Sequence, residues 1–256
     1  MDNEFTKPIT EEKLPENWKS IPIKECGEPL VELVNSDKIE IDMQYFKQGL
    51  AGSIDKCYLR QGVAARIKQA GRYLLNGYKF CILDGYRPIE LQWTLYNQFK
   101  DRIKQQYPEM SEKEVEIETQ KFITIPDCGD KNPSAHNGGA SVDLTIINEN
   151  GKELDMGTEF DNLTPKASTR YFEELKKSKT LTDEEKQIVM NRRLLFNILK
   201  KSGLSNYGEE WWHFGYGCQL TLGGLKEAIY GSVEGKPYLF PKIKTTNDIN
   251  LEEHNR

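Results

Sequence analysis

The sequence predicts a single α+β domain whose short strands can pair antiparallel through long connections. Short β-prone runs alternate with longer segments of helical periodicity, and the chain contains neither an internal repeat nor a glycine-rich nucleotide-binding motif. Its 256 residues, of which 37% are hydrophobic, suit one large domain with a substantial core.

The first part of the chain supplies an arm, two strands and a helix. Residues 1–25 carry three prolines among charged residues, which indicates an arm that lies over the domain or is partly disordered. Residues 26–256 then form the domain. Mixed apolar and polar residues predict an irregular strand at 29–43, and apolar residues at helical spacing predict a helix at 63–75. The β-prone run 78–83 predicts a second strand.

The rest of the chain supplies helices and strands around a charged insertion. Apolar residues at helical spacing predict a helix at 91–103, and residues 101–121, which are dense in Lys, Glu and Gln, predict a solvated helical insertion. The apolar run 140–147 predicts a buried strand. A capping box predicts the start of a helix at 182–199, and the aromatic run 211–216 predicts a strand or a strand edge.

Composition and charge exclude several classes of function. The net charge of -5, with lysines that are scattered along the chain, argues against nucleic-acid binding. No apolar run approaches the roughly 20 residues of a membrane span. The polar N-terminus predicts a cytoplasmic protein, or a periplasmic one if a signal peptide has been removed. The five cysteines are widely spaced, so we expect none of them to bind metal.

Histidine is scarce enough to narrow the choice of metal ligands. The chain has three histidines, and His254 lies in a charged tail. His136 and Asp143 are seven residues apart with two glycines between them, and His213 follows two tryptophans. A catalytic zinc usually takes three protein ligands, which indicates His136, Asp143 and His213. A single histidine beside a glycine turn is more often structural, but a carboxylate within an apolar strand is costly unless it is paired or metal-bound.

Two more residues could complete a hydrolytic site. Glu210 lies three residues before His213, where it could act as a general base. Arg87 precedes Pro88 at a strand-to-helix turn and could stabilise an oxyanion. Both regions also have structural interpretations, since Arg87 could bridge to Asp84 and the aromatic residues beside His213 could belong to the core.

Three ordered motifs together carry a resemblance to a known family. They are Ser-x-His-x-x-Gly-x-x-x-Asp at residues 134–143, Glu-Trp-Trp-His at 210–213 and Asp-Gly-Tyr-Arg-Pro at 84–88. In this combination the chain resembles the D-alanyl-D-alanine dipeptidases of the VanX type, zinc peptidases whose wider group includes D-Ala-D-Ala carboxypeptidases. The resemblance extends from about residue 40 to residue 215.

The resemblance implies a small antiparallel sheet flanked by helices, in the fold of the zinc D-Ala-D-Ala peptidases and Hedgehog-like domains. It also implies one zinc ion per chain with His136, Asp143 and His213 as its ligands. Glu210 takes the role of the base, and Arg87 takes the role of the group that stabilises the transition state.

The implied substrate is the dipeptide D-Ala-D-Ala. The segment 156–161 is similar to the family loop whose aspartate meets the substrate ammonium, which assigns that contact to Asp161. Ser134 and Tyr45 are expected to contact the substrate as well. An ammonium contact favours a dipeptide, because a longer peptide would place an uncharged amide against the carboxylate.

Two alternatives stay open. A carboxypeptidase that trims D-Ala from peptidoglycan precursors would use the same metal site. A binding module that had lost catalysis would keep the fold, but it would need neither Glu210 nor Arg87.

Overall fold

Seven strands are present in the computed structural model, which describes residues 3–120, 123–125 and 133–233. In chain order they are β1 Leu30–Leu33, β2 Ile39–Ile41, β3 Cys57–Arg60, β4 Lys79–Asp84, β5 Ser141–Ile147, β6 Ser205–Asn206 and β7 His213–Gly215. The strands predicted at 78–83 and 140–147 are confirmed as β4 and β5. The irregular strand predicted at 29–43 is two strands, β1 and β2, and they belong to different sheets.

The prediction of one small antiparallel sheet is wrong in two respects. There are two sheets, a pair formed by β1 and β3 and a five-stranded sheet in the order β2-β4-β5-β7-β6. Within the larger sheet β2 and β4 are parallel, whereas the other neighbouring strands are antiparallel. The chain between β2 and β4 makes a long crossover, which returns it to the sheet in the same direction. The mixed α and β architecture agrees with the predicted class, and the Hedgehog-like fold stays a prediction.

Six α-helices accompany these strands in the described part of the chain. They are α1 Gln44–Lys47, α2 Gln61–Gly71, α3 Ile89–Gln106, α4 Glu112–Gln120, α5 Tyr171–Leu175 and α6 Asp183–Lys201. The helices predicted at 63–75, 91–103 and 182–199 are confirmed as α2, α3 and α6. The predicted capping box is present at the start of α6, where the Glu185 amide donates to Thr182 Oγ1 at 3.3 Å. None of these helices is long and apolar enough to cross a lipid bilayer.

The described part of the charged insertion predicted at 101–121 is mostly helical, but it is not entirely solvated. It contains the end of α3 and all of α4, and Val115 of α4 is buried against Phe99 and Ile103 of α3. Lys100 holds the two helices together from the surface, with its Nζ 3.0 Å from Glu116 Oε1. The insertion is therefore a helical hairpin with a small core of its own.

The main core lies between the larger sheet and helices α2 and α6. All seven residues of β5 are buried, as expected for a central strand that is covered on both faces. Ile67 of α2 and Leu195 and Leu199 of α6 belong to the same apolar cluster as β5. The sheet is therefore a rigid platform, and residues at one end of its central strands are held in fixed positions.

The N-terminal residues that the structure describes pack on this domain. Phe5 and Ile9 are buried in the main core, and Ile23 forms a parallel bridge with Ala228 near the other end of the described chain. The boundary at residue 25 stays a prediction, because these contacts do not define where one domain ends.

Arg60 joins several segments that are distant in sequence. It is fully buried, and its guanidinium donates to the carbonyl oxygens of Gly138 at 2.8 Å and Gly231 at 3.1 Å. It also binds both carboxylate oxygens of Glu25, at 3.0 and 2.8 Å. One buried cation therefore fixes the N-terminal segment, the turn that contains His136 and the segment near residue 231.

We expect Arg60→Met to lower the free energy of unfolding by about 3 kcal/mol, because the substitution leaves buried carbonyls and a carboxylate without their cation. Lys56→Met is the matched control. Lys56 directly precedes the same strand, and its partner Glu32 is on the surface at 3.2 Å. The control should unfold like the wild type in urea, and equal stability of all three proteins would contradict this account of Arg60.

Candidate active site

Three polar side chains lie side by side across the centre of the larger sheet. Asp84 of β4 pairs with Asp143 of β5, and Asp143 pairs with His213 of β7. The register of β4 shifts between Ile82 and Asp84, as a β-bulge does. The bulge changes the direction of the end of β4, and Asp84 therefore lies level with Asp143 and His213 on the neighbouring strands.

His136 reaches the same place from the turn that precedes β5. The amide of Gly139 donates to the His136 carbonyl at 2.9 Å, and Gly139 has φ +64, a conformation that glycine adopts without strain. The same carbonyl accepts the amide of Arg87 at 3.1 Å. The turn that contains His136 is therefore held by a hydrogen bond within itself and by a second one from Arg87, in the strand-to-helix turn after β4.

The atoms that could bind a metal face one another at short range. His136 Nε2 lies 3.2 Å from His213 Nδ1, and Asp143 Oδ1 lies 3.1 Å from His213 Nδ1 and 3.5 Å from His136 Nε2. These three residues form a group that could hold a metal ion. Two imidazole nitrogens and one carboxylate oxygen are a donor set that suits zinc and leaves one position open in a tetrahedral site.

Two features of the surroundings support this interpretation. Asp143 Oδ1 is buried and has no hydrogen-bond donor among the described residues, which is costly for a carboxylate without a cation. His136 Nδ1 lies 2.8 Å from the Gly85 carbonyl, so it is the protonated nitrogen and Nε2 keeps a lone pair toward the other ligands. The residues therefore fit a divalent metal ion.

Glu210 lies on the tight turn before β7, at the edge of this group. Its Oε2 is 3.6 Å from His213 Nδ1. Burial raises the pKa of Glu210 to about 7, with His213 acting against the shift and Asp143 and Asp161 adding to it. A bound cation would lower this pKa and favour the ionised carboxylate, which is the form that accepts a proton.

Arg87 is nearly buried and is held by two partners. Its Nε and Nη2 donate to Asp84 Oδ2 at 2.9 and 2.8 Å, and its Nη1 donates to Gln92 Oε1 at 3.0 Å. Burial opposes the charge of Arg87, but Asp84 more than offsets this and raises its pKa. The bridge to Asp84 considered from the sequence is present. Because a guanidinium has five N–H donors, this bridge leaves others available for a ligand in the cleft.

Asp161 and Tyr45 belong to an adjoining aromatic wall. Phe160 packs against Tyr45 at 5.7 Å and against Trp212 at 5.6 Å between ring centroids, and the Tyr45 ring lies 5.2 Å from Arg87 Cζ. Asp161 has φ 61, and no other non-glycine residue in the described ranges has a positive φ. Strain of this kind is common at ligand sites. Desolvation raises the pKa of Asp161, although much of its surface faces the open cleft.

Hydrogen bonds from Arg192 of helix α6 and from Trp211 hold the loop that carries Asp161. Arg192 is buried and donates to the carbonyls of Met156 and Lys166, each at 2.8 Å. Trp211 Nε1 donates to Thr158 Oγ1 at 2.8 Å. These bonds hold the loop at several points, so the position of the Asp161 carboxylate does not depend on exposed contacts.

A single cleft of about 250 Å³ brings together all eight residues that the sequence analysis selected. They are Tyr45, Arg87, Ser134, His136, Asp143, Asp161, Glu210 and His213. Ser134 lies where this cleft meets a second cavity. The third histidine, His254, lies outside the described residues.

The structure adds residues to the site that the sequence analysis missed. Gln92 lines the cleft and links Arg87 to the Thr124 carbonyl, to which its Nε2 donates at 3.0 Å. The spacing of five residues from Arg87, at the start of a predicted helix, is a signal that could have indicated Gln92. Lys19 also lines the cleft. No local pattern marks Lys19, because it comes from the distant N-terminal segment.

We expect the protein to bind one divalent ion per chain, with Zn²⁺ as the probe. Asp143→Asn should weaken binding more than the roughly 10- to 100-fold that the loss of an outer-shell partner costs. His254→Ala is the control, since it removes a histidine outside the group. Competition with a chromophoric chelator measures both variants, and equal loss in both would contradict the assignment of the ligands.

Comparison with known proteins identifies the family. Residues 37–229 match the model of the peptidase M15 family, described as D-ala-D-ala dipeptidase. A D-alanyl-D-alanine dipeptidase of Synechocystis sp. is 29% identical over 244 residues, which cover 85% of this chain and 96% of the relative. The D-alanyl-D-alanine dipeptidase of Enterococcus faecalis is 27% identical over 54% of this chain and 62% of that relative. The D-alanyl-D-alanine dipeptidase of Escherichia coli is 26% identical over 62% of this chain and 66% of that relative. The chain therefore belongs to the peptidase M15 family.

Proposed function

We propose that this protein is a zinc-dependent dipeptidase that hydrolyses D-alanyl-D-alanine to two molecules of D-alanine. The observation that carries the proposal is the meeting of a possible metal site, a half-buried glutamate and a buried arginine in one cleft. The names of three relatives, each a D-alanyl-D-alanine dipeptidase, support the same substrate.

In this proposal His136, Asp143 and His213 hold the zinc ion. Zinc bound there would supply Lewis acidity for the scissile carbonyl and for the attacking water. Asp143 keeps its negative charge, because burial is outweighed by the two imidazoles and its pKa is lowered. The Gly85 carbonyl, 2.8 Å from His136 Nδ1, holds the ring of His136 in the orientation that binding requires.

Glu210 is the proposed general base and acid. Its carboxylate accepts a proton from the water that attacks the amide carbon, and it then donates that proton to the amine of the leaving D-alanine. The 3.6 Å separation between Glu210 Oε2 and His213 Nδ1 supports a role for Glu210 beside the three proposed ligands rather than as one of them. The raised pKa supports a carboxylate that can carry the proton between the two steps.

Arg87 is the proposed donor to the carbonyl oxygen as negative charge develops on it. Its bonds to Asp84 and Gln92 fix the guanidinium, so little reorganisation is needed when the charge forms. Loss of one such donor typically lowers the rate by about 100- to 1000-fold.

Asp161 is the proposed partner of the substrate ammonium, with Tyr45 and Ser134 as further contacts. The carboxylate is anchored in the same cleft as the metal ligands, which sets the distance from the amino terminus to the scissile bond. A dipeptide satisfies this distance with a charged amine. An acylated substrate would bring a neutral amide to Asp161 and leave its carboxylate without a cation.

Two other functions are weaker candidates. A carboxypeptidase would need room for an acylated amine where Asp161 lines the cleft. A binding module would not require Glu210 beside the ligand group or a fixed Arg87. The arrangement of the cleft therefore favours a dipeptidase over both.

We expect Glu210→Gln to bind zinc normally and to hydrolyse D-Ala-D-Ala about 100- to 10,000-fold more slowly, because the substitution removes the proton carrier but no ligand. The matched control is Glu209→Gln, at the exposed neighbour. Metal content and released D-alanine are measured for both variants. Full activity of Glu210→Gln would remove this residue from the mechanism.

We also expect the wild type to prefer D-Ala-D-Ala to N-acetyl-D-Ala-D-Ala, because only the free dipeptide offers Asp161 an ammonium. Asp161→Asn should reduce this preference by raising KM for the free dipeptide. Initial rates with both substrates give the ratio of kcat/KM for each protein. A wild-type preference for the acetylated substrate would indicate a carboxypeptidase.

A further inference from the structure

The proposed base and one proposed ligand are carried by a single turn of the backbone. This turn, residues 207–212, joins β6 to β7 and contains Glu210, and His213 follows it as the first residue of β7. Two backbone bonds close it. The Tyr207 amide donates to the His213 carbonyl at 3.0 Å, and the His213 amide donates to the Glu210 carbonyl at 3.3 Å. The separation of Glu210 from His213 therefore depends on how firmly the turn is held.

Asn206, the last residue of β6, holds this turn with its side chain. Its Nδ2 donates to the carbonyl oxygens of Glu210 and His213, each at 3.0 Å. A side-chain amide has two N–H donors, and both are used here. We call these two hydrogen bonds the Asn206 brace. The brace links the backbone of the proposed base directly to the backbone of a proposed ligand.

A threonine from another segment fixes the orientation of the Asn206 amide. Thr169 Oγ1 donates to Asn206 Oδ1 at 2.7 Å, and the Thr169 amide donates to the Gly208 carbonyl at 2.9 Å. Asn206 and Thr169 are both buried. Because a carbonyl only accepts hydrogen bonds, rotating the amide by half a turn would place its oxygen against two other oxygens. The side chain therefore has one favourable orientation.

The main chain of Asn206 is held as well. Strand β6 lies at the edge of the larger sheet, where backbone amides need partners from outside the sheet. The Asn206 amide donates to Glu12 Oε2 at 3.0 Å, and Glu12 also pairs with Lys200 of α6. Both the backbone and the side chain of Asn206 are thus fixed to the domain.

The chemistry of the site explains why an asparagine suits this position. The side chain supplies two donors without adding a charge beside Glu210 and the ligand group. An aspartate of the same shape would face two carbonyl oxygens with a carboxylate and would lose both bonds. Misplacement of a reacting group by 1 Å can lower a rate by about 100-fold, so small movements of the turn affect proton transfer.

We propose that Asn206 is a positioning residue of the active site, which sets the distance between Glu210 and His213 through its brace. This inference rests on the proposed dipeptidase function and adds to it a group that acts through other residues. The loop that carries Asp161 has its own hydrogen bonds, from Arg192 and Trp211. Loss of the brace should therefore lower kcat and leave KM nearly unchanged.

The kinetic test uses Asn206→Asp, which keeps the shape of the side chain, and Asn206→Ala, which removes it. With zinc fully bound, we expect both variants to hydrolyse D-Ala-D-Ala with a kcat roughly 10- to 100-fold below that of the wild type. Asn197→Asp is the matched control. The Asn197 Nδ2 also donates to two carbonyls, those of Phe5 at 3.4 Å and Lys7 at 2.9 Å, and it should keep the wild-type kcat.

Hydrogen exchange in the metal-free protein tests the brace without substrate or zinc. The backbone bonds that close the turn are unchanged by these substitutions, so we expect the variants to fold. Amides in a peptide that covers residues 207–213 should exchange faster in Asn206→Asp and Asn206→Ala than in the wild type. The same peptide should exchange at the wild-type rate in Asn197→Asp.

The outcomes separate this proposal from the proposed function. A wild-type kcat in Asn206→Asp would overturn the positioning role and leave the dipeptidase intact. An equal loss of kcat in Asn197→Asp would also overturn it, since that result indicates a general loss of stability. Unchanged exchange in both Asn206 variants would show that the brace does not hold the turn. A wild type that does not hydrolyse D-Ala-D-Ala would contradict the dipeptidase function, whereas the exchange result would still decide the brace.

Discussion

Asp143 places a carboxylate in the middle of a fully buried strand, and much of the structure around it offsets the cost of that charge. The imidazoles of His136 and His213 face one of its oxygens, and Arg87 Nη2 lies 3.9 Å from the other. The donor-free Oδ1 points into the gap between the two rings. A metal ion between these three groups would meet the requirement that the protein atoms alone leave unmet.

The position of this carboxylate depends on strand register. Asp84, Asp143 and His213 form a row because three neighbouring strands are aligned at one level. A slip of one residue would turn Asp143 to the opposite face and break the row. The rigid sheet thus supplies two of the proposed ligands, whereas turns that are bonded to it supply His136 and Glu210. All three proposed ligands are buried, whereas Glu210, the proposed proton carrier, is only half-buried.

Local sequence patterns were sufficient for much of this architecture. The capping box at Thr182, the strand around Asp143 and the turn at Arg87 each follow from residues that are close in sequence. The three motifs contain six of the eight selected residues, and the resemblance implied Tyr45 and Asp161, so that their convergence in one cleft was expected. Their chemical roles stay proposals.

Other features of the structure depend on contacts between distant segments, and no local sequence pattern indicates them. Strand β3 was not predicted, because its pairing with β1 is long-range and it ends in the buried Arg60. The parallel pairing of β2 with β4 depends on the path of the crossover, which periodicity does not report. Lys19 lines the cleft although it is distant in sequence from most of the other lining residues, and its carbonyl and that of Ile21 accept hydrogen bonds from Gln219 Nε2.

The central claim is that His136, Asp143 and His213 share one ion, and anomalous diffraction at the zinc absorption edge tests it most directly. Crystals of the zinc-loaded protein should show one strong peak within about 2.0–2.2 Å of His136 Nε2, His213 Nδ1 and a carboxylate oxygen of Asp143. Glu210 should lie outside that shell. A peak at another site, or zinc bound by Glu210 in place of Asp143, would contradict the account.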